Sequence, residues 1–268
     1  MRNVSRIIVG IITIPIVIAI IFFLPVTFFV ILVMILSGLG LYEYFNLGRV
    51  SIVFPMWKEI FSLMGVAFPL AAFVWGVNGL LGTLFLILGV LMVLAMGILT
   101  SYETAFQSAG EILLGFVFIA IPLSLAILVL MSHPYGRSQA LWLVLIVWAG
   151  DTGAFYLGTA FGKHKLYPKV SPKKSVEGVI GGMLSALVVG VVASLFLRLD
   201  FSLPEILILP PLLLVLGQLG DFSESMMKRG AGAKDSGKIL AGHGGILDRI
   251  DSFLLTIPFF YFYLLLRS

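Results

Sequence analysis

The chain has 268 residues, 60% of them hydrophobic and 11% charged, and its mean hydropathy is +1.14. No soluble globular domain carries that much apolar sequence, so most of the chain is expected in lipid. Cysteine is absent, which excludes disulfides, thiolate metal centres and cysteine nucleophiles. The net charge of +4 reads, in such a chain, as loop topology and attraction to anionic headgroups, and no nucleic-acid partner is expected.

A transmembrane helix needs about 17–25 mostly apolar residues. Nine stretches qualify: 7–23, 26–42, 60–77, 80–99, 113–131, 140–161, 179–197, 205–227 and 250–266. Arg2 and Arg6 ahead of the first give it the look of a signal peptide. Pro25 and a second apolar run follow it, with no small-x-small cleavage site, so a retained span is expected. Pro210-Pro211 is predicted to kink the eighth span or break its start. The expected fold is an all-α polytopic membrane protein of about nine transmembrane helices.

Charge sets the orientation. With nine spans, 14 of the 17 basic residues fall on the N-terminal side, and only Arg137, Arg198 and Arg267 on the other. The positive-inside rule therefore places the N-terminus in the cytoplasm, together with the polar regions 162–178 and 228–249. The division expected is a transmembrane scaffold over 1–112 and a catalytic transmembrane region over 113–268. Within the scaffold, Glu43, Glu103 and Glu111 read as interfacial or loop residues, and 101–112 as a short interfacial helix.

The first chemical region is AGDTGAFYLGTAFGKHKLYPKVSPKKSVEGVIGG, residues 149–182. Asp151 lies inside an apolar span, where a lone carboxylate costs at least ~2.5 kcal/mol, so it should face protein, water or a metal. Gly158-x3-Gly162 and Gly178-x3-Gly182 are small-xxx-small pairs that permit close helix approach. Ser171-Pro172-Lys173-Lys174 sets a hydroxyl and two ammonium groups on a stiff backbone, suited to a phosphate. Glu177 falls near the start of the next helix, where the helix dipole favours a carboxylate.

The second region is DFSESMMKRGAGAKDSGKILAGHGGILDRID, residues 221–251. Asp221, Ser225 and Lys228 share one face of a helix end, with Glu224 close to it. A glycine-rich loop with Lys234 and Asp235 follows, then His243. Asp248 and Asp251 stand three apart at a helix start, with Arg249 between them. Gly232-x4-Gly237-Lys238 imitates a P-loop, but Ile239 replaces the hydroxyl residue that binds magnesium, and no strand–helix unit surrounds it. His243, flanked by glycines, suits phosphate contact or loop anchoring better than metal ligation. Carboxylates with few imidazoles suit a hard cation, above all Mg²⁺. Carboxylates, clustered Lys and Arg, and a bilayer-edge position together point to phosphoryl or nucleotidyl transfer between a lipid and a soluble nucleotide.

The run from Ser225 through Lys228-Arg229, Lys234-Asp235-Ser236-Gly237 and Gly242-His243-Gly244-Gly245 to Asp248-Arg249-Ile250-Asp251 resembles the C-terminal signature of the phosphatidate cytidylyltransferases (CDP-diacylglycerol synthases). Gly150-Asp151-Thr152-Gly153-Ala154 and Ser171-Pro172-Lys173-Lys174-Ser175-x-Glu177-Gly178 are similar to that family's upstream motifs. Ala241 departs from the family, which usually has proline there. The resemblance implies transfer of CMP from CTP to phosphatidic acid, giving CDP-diacylglycerol and pyrophosphate. It also implies Mg²⁺, a second, monovalent cation such as K⁺, a homodimer, and a bacterial-type inner membrane with the active site on the cytoplasmic face. Under it, Asp221, Asp248 and Asp251 are the expected metal ligands and, with Lys228 and Arg229, the catalytic set. Asp151, Ser171, Lys173, Lys174, Glu177, Ser225, Lys234, Asp235, His243 and Arg249 are expected to bind substrate. Two rivals remain at this point. A CTP-dependent polyprenol or phytol kinase would release CDP, and a secondary transporter would spread charge through several spans.

Overall fold

The computed structural model describes residues 15–48, 57–97, 102–132, 134–237 and 244–267, most of them helical. Apolar runs in lipid must close their backbone hydrogen bonds internally, which the helix does. In chain order the helices are α1 (15–22), α2 (Val26–Leu47), α3 (Trp57–Gly65), α4 (Ala67–Gly97), α5 (Tyr102–Gly115), α6 (Ile121–Met131), α7 (Gly136–Phe161), α8 (Val176–Ser194), α9 (Leu203–Gly230), α10 (Leu247–Ile250) and α11 (Phe253–Arg267). Six helical stretches among the described residues are long and apolar enough to cross a membrane: 26–47, 58–92, 108–131, 136–161, 176–194 and 203–230; Phe253–Arg267 is a shorter apolar helix. The first half of the expected span 7–23 lies outside the described residues.

The stretch 58–92 contains two of the expected spans. Gly76 interrupts it with φ 61° and ψ −142°, backbone that glycine adopts at no steric cost. A Cβ at Gly79 would lie 2.2 Å from the Ala71 carbonyl oxygen, a proximity that a straight helix forbids, so the chain turns back here. The break falls just before the expected one at 78–79.

Three expectations are corrected. The segment 101–112 is no separate interfacial helix: α5 continues through a π-helical turn, Phe116–Ala120, directly into α6. Helix α9 is not broken at Pro210-Pro211; it starts at Leu203, capped by Ser202 and Glu205, and runs through both prolines. The fold is not wholly α. Residues 165–175 form an antiparallel hairpin, β1 (Lys165–Tyr167) and β2 (Ser171–Ser175), with Lys165 opposite Ser175 and Tyr167 opposite Ser171. It is short and mostly exposed, and it projects Lys173 and Lys174 from a strand instead of a loop.

The most extensive helix contact is that of α7 on α8; α8 also packs on α9, α9 on α11, and α11 on α6. The glycine pairs explain the first contact. A Cβ at Gly178 would lie 2.9 Å from the Ala154 carbonyl oxygen, and one at Gly182 would lie 2.8 Å from that of Gly150. Backbone therefore meets backbone, as the small-xxx-small spacing predicts. Buried Trp142 anchors this half by donating its indole N–H to the Gly190 carbonyl at 2.8 Å. A second aromatic group, Phe45, Phe61, Phe68 and Phe116, fills the N-terminal half.

Candidate active site

Three elements converge at the C-terminal end of α9. The hairpin leans on it through Tyr167 and Phe222, whose rings are 6.4 Å apart. Lys174 Nζ lies 2.7 Å from Asp221 Oδ2 and 4.7 Å from the centre of the Phe222 ring. Arg229, exposed on the last turn, donates to the Val170 carbonyl at 3.4 Å and the Ala233 carbonyl at 2.9 Å. The two chemical regions of the sequence are thus held together by side chains from both.

Asp221 also accepts from Ser225 Oγ at 3.2 Å, the i, i+4 contact expected from their spacing. One helical turn further along, Lys228 is buried between two carboxylates. It pairs with Glu224, which is fully buried, and donates to Asp248 Oδ1 at 2.5 Å. Lysine in the last turn also complements the helix dipole. The other oxygen of Asp248 is occupied: Oδ2 accepts from Ser236 N at 3.0 Å and Gly245 N at 2.7 Å, and Ser236 Oγ lies 3.0 Å from it. Burial raises the pKa of Asp248, but Lys228 and these amides outweigh it and hold the carboxyl below its usual range.

Asp151 and Asp251 complete the acidic group. Gln218 Nε2 donates to Asp151 Oδ1 at 3.3 Å. Asp251 Oδ1 accepts from Ser252 N at 2.7 Å. Gly220 lets α9 approach this segment: a Cβ there would lie 2.4 Å from the Asp251 carbonyl oxygen. Asp221 is close enough to repel both Asp151 and Asp251. Five carboxylates, from Asp151, Asp221, Glu224, Asp248 and Asp251, therefore face two lysine ammonium groups, from Lys174 and Lys228.

The remaining candidates take peripheral places. Glu177 stands in the first turn of α8 and accepts from Lys163 N at 3.1 Å and His164 N at 3.2 Å, as its helix-start position predicts. Ser171 opens β2, half-buried; Lys173, Lys234, Asp235 and Arg249 are exposed around the rim. His243 lies outside the described residues. Among the described residues, no three acidic or imidazole side chains are grouped closely enough to hold a metal ion as they stand.

Sequence reasoning passed over Glu43. Assigned to the scaffold as an interfacial or loop residue, it is instead buried, 2% exposed, at the end of α2. Its Oε2 accepts from Ser236 Oγ and from Leu247 N, each at 2.9 Å. A signal was present in its place among apolar residues near a helix end, but its partner loop lies about two hundred residues away. Glu111 stays near the α2 terminus, where its carbonyl accepts from Tyr44 Oη at 3.1 Å. The Glu103 side chain lies outside the described set.

The chain is similar to known proteins over most of its length. The family model described as the cytidylyltransferase family matches residues 4–267. A phosphatidate cytidylyltransferase of Bacillus subtilis (strain 168) is 34% identical over 241 residues, covering 90% of each chain. One from Staphylococcus haemolyticus (strain JCSC1435) is 33% identical over 252 residues, 92% of this chain and 95% of the relative. One from Haemophilus influenzae is 38% identical over 213 residues, 77% of this chain and 65% of the relative.

Proposed function

This chain belongs to the cytidylyltransferase family, and we propose that it transfers CMP from CTP to phosphatidate, giving CDP-diacylglycerol and pyrophosphate. It is a multi-pass membrane enzyme, a nucleotidyltransferase of phospholipid biosynthesis. The observation that carries the proposed reaction is the meeting of Lys174, on the hairpin, with the acidic end of α9. Two anionic reactants, one from the bilayer and one from solution, need basic groups and a cation at a single membrane edge.

The chemistry asks for positioning more than proton transfer. A phosphatidate oxygen, already anionic, bonds to the α-phosphorus of CTP while the bond from that phosphorus to the bridging oxygen breaks and pyrophosphate departs. No strong base is required. Lys173, Lys174, Arg229, Lys234, Arg249 and His243 offset the repulsion between the reactants. The donor set suits Mg²⁺, because five carboxylates against two lysines leave negative charge for a hard cation to neutralise. Asp221 and Asp251 would hold it, with Asp151 beside them. Asp248 would join by exchanging Lys228 on Oδ1, since its Oδ2 is filled by protein donors. When bound, the cation supplies charge neutralisation at the phosphates and the leaving group. The site faces the cytoplasm, in keeping with the side on which 14 of 17 basic residues fall.

The test is purified protein in detergent with phosphatidate and CTP labelled in the base and the γ-phosphate. Formation of labelled CDP-diacylglycerol with stoichiometric pyrophosphate is expected. Release of CDP with phosphorylation of the lipid would replace this reading with a kinase.

A further inference from the structure

Glu43 belongs to the half of the chain that carries no other site residue, yet it is built into the loop that carries Asp248. Its carboxylate is buried, and Oε1 has no hydrogen-bond partner among the described residues. The loop is shaped around it. A Cβ at Gly237 would lie 2.3 Å from Oε1, and one at Gly245 would lie 2.1 Å from Oε2, so at both positions the backbone can approach the carboxylate only without a side chain.

The proton inventory defines the connection. Ser236 Oγ stands 2.9 Å from Glu43 Oε2 and 3.0 Å from Asp248 Oδ2, and it has one proton to donate. Leu247 N, next to Asp248 in sequence, is given to Glu43. Ser236 N and Gly245 N are given to Asp248. The two carboxylates therefore divide the donors of a single loop between them, and the division fixes where Asp248 sits and which oxygen it presents to Lys228.

We propose that Glu43 is a positioning residue of the nucleotidyl transfer site: by holding Ser236 and the Leu247 amide it fixes Asp248 so that its Oδ1 is presented to the reacting groups. The role rests on the function proposed above. It makes helix α2, and so the N-terminal half, part of the active site's architecture.

The experiment compares the full-length wild type with Glu43→Gln, Glu43→Asp, Ser236→Ala and the Glu43→Gln/Ser236→Ala double variant in detergent. Each is assayed for kcat and for KM toward CTP, and for amide hydrogen exchange. For Glu43→Gln a fall in kcat of about 10- to 100-fold is expected, the range typical of residues that orient a ligand, with a smaller change in KM. Exchange at 244–248 should rise while α7 and α8 keep their protection. Ser236→Ala should move both readouts the same way, and the double variant should be little worse than Glu43→Gln alone. Glu43→Asp, which retains the carboxylate, should recover part of both. Wild-type kcat and wild-type loop protection in Glu43→Gln would overturn the proposal. So would loss of protection spread evenly over all helices, which marks a residue needed only for folding. If Glu43→Gln fails to assemble, Ser236→Ala decides: unchanged kcat and unchanged exchange at 244–248 refute the connection. A wild type that makes no CDP-diacylglycerol would refute the proposed function, and the exchange pattern would still report on the loop.

Discussion

Helix α9 carries an ionic cluster at each end, and the two differ in how completely they are paired. At its start Glu205 accepts from Ser202 N at 2.5 Å and Ser202 Oγ at 2.6 Å, takes the Tyr263 hydroxyl, and pairs with Arg267 Nε at 2.7 Å. Arg267 spends its remaining donors on Asp200 and covers the Phe201 ring. One carboxylate there is surrounded by everything it needs, and the result is a latch between α9 and α11. At the other end, 16 to 23 residues further along the helix and so about 24–35 Å away, the carboxylates outnumber the lysines. Charge at a membrane edge is therefore not in itself a sign of a binding site; an unbalanced remainder is.

The comparison breaks most sharply at Lys228. Replacing it with methionine leaves Glu224 buried with no cation and frees Asp248, and removal of one partner from a buried pair costs about 3–5 kcal/mol. Lys228→Met should therefore lower the detergent melting temperature by many degrees and abolish turnover with it. Asp221→Asn is the complementary change. Asp221 is half-exposed and, among the described residues, holds Lys174 and Ser225. Loss of a ligand to the cation that would neutralise the transferring phosphates is expected to cost on the order of 100- to 1000-fold in kcat. Melting should stay near wild type, and steady-state CDP-diacylglycerol formation would give the rate. Equal losses of stability in the two variants would erase the distinction between a sealed pair and an available one.

A smaller effect is expected where the two chemical regions are held in register. Gly182→Ala would place a methyl group 2.8 Å from the Gly150 carbonyl oxygen and from Leu214 Cδ2. Overpacking of this kind costs about 1–3 kcal/mol. Because α7 carries Asp151 and α8 follows directly on the hairpin, activity should fall along with the melting temperature. A variant as stable and active as wild type would show that the α7–α8 contact does not set the site.

How much of this was readable beforehand depends on the range over which each signal acts. The glycine spacing in 150–182 and the Asp221–Ser225–Lys228 face are local, because helical geometry alone places them, and they stand as expected. The hairpin was not legible, since Ser-Pro-Lys-Lys-Ser lacks the alternating apolar pattern of a strand and is held by its partner β1 and by α9. Of the two outcomes expected at Pro210-Pro211, a kink or a broken start, the break is excluded for a similar reason. Local propensity argues against a continuous α9, while packing on Gly190, where a Cβ would lie 2.6 Å from Pro210 Cγ, supports it. Glu43 was the largest omission. Its place among apolar residues near the end of α2 is a weak signal, shared with any headgroup-facing carboxylate; its meaning comes from a residue 193 positions later. The resemblance places Asp248 with Asp221 as a metal ligand; what it does not foretell is that the fold gives Asp248 a lysine on Oδ1 and two amides on Oδ2, with the Ser236 hydroxyl shared with Glu43.

The fully paired end of α9 supplies the smallest expected effect and the control for the largest. Arg267→Met removes a cation from Glu205, as Lys228→Met does from Glu224, but the surroundings differ. Glu205 keeps Ser202 and Tyr263, and Arg267 is itself partly exposed, so little charge is left stranded. The cost should be about 1 kcal/mol, that of an ordinary hydrogen-bonded contact. The melting temperature should drop by a few degrees, while kcat and KM for CTP remain at wild-type values because the latch lies about 24 Å along the helix from Asp221, the nearest site carboxylate on α9. A loss of kcat at preserved stability would mean that α9 transmits the state of its first turn to its last, and the two clusters would then be one device.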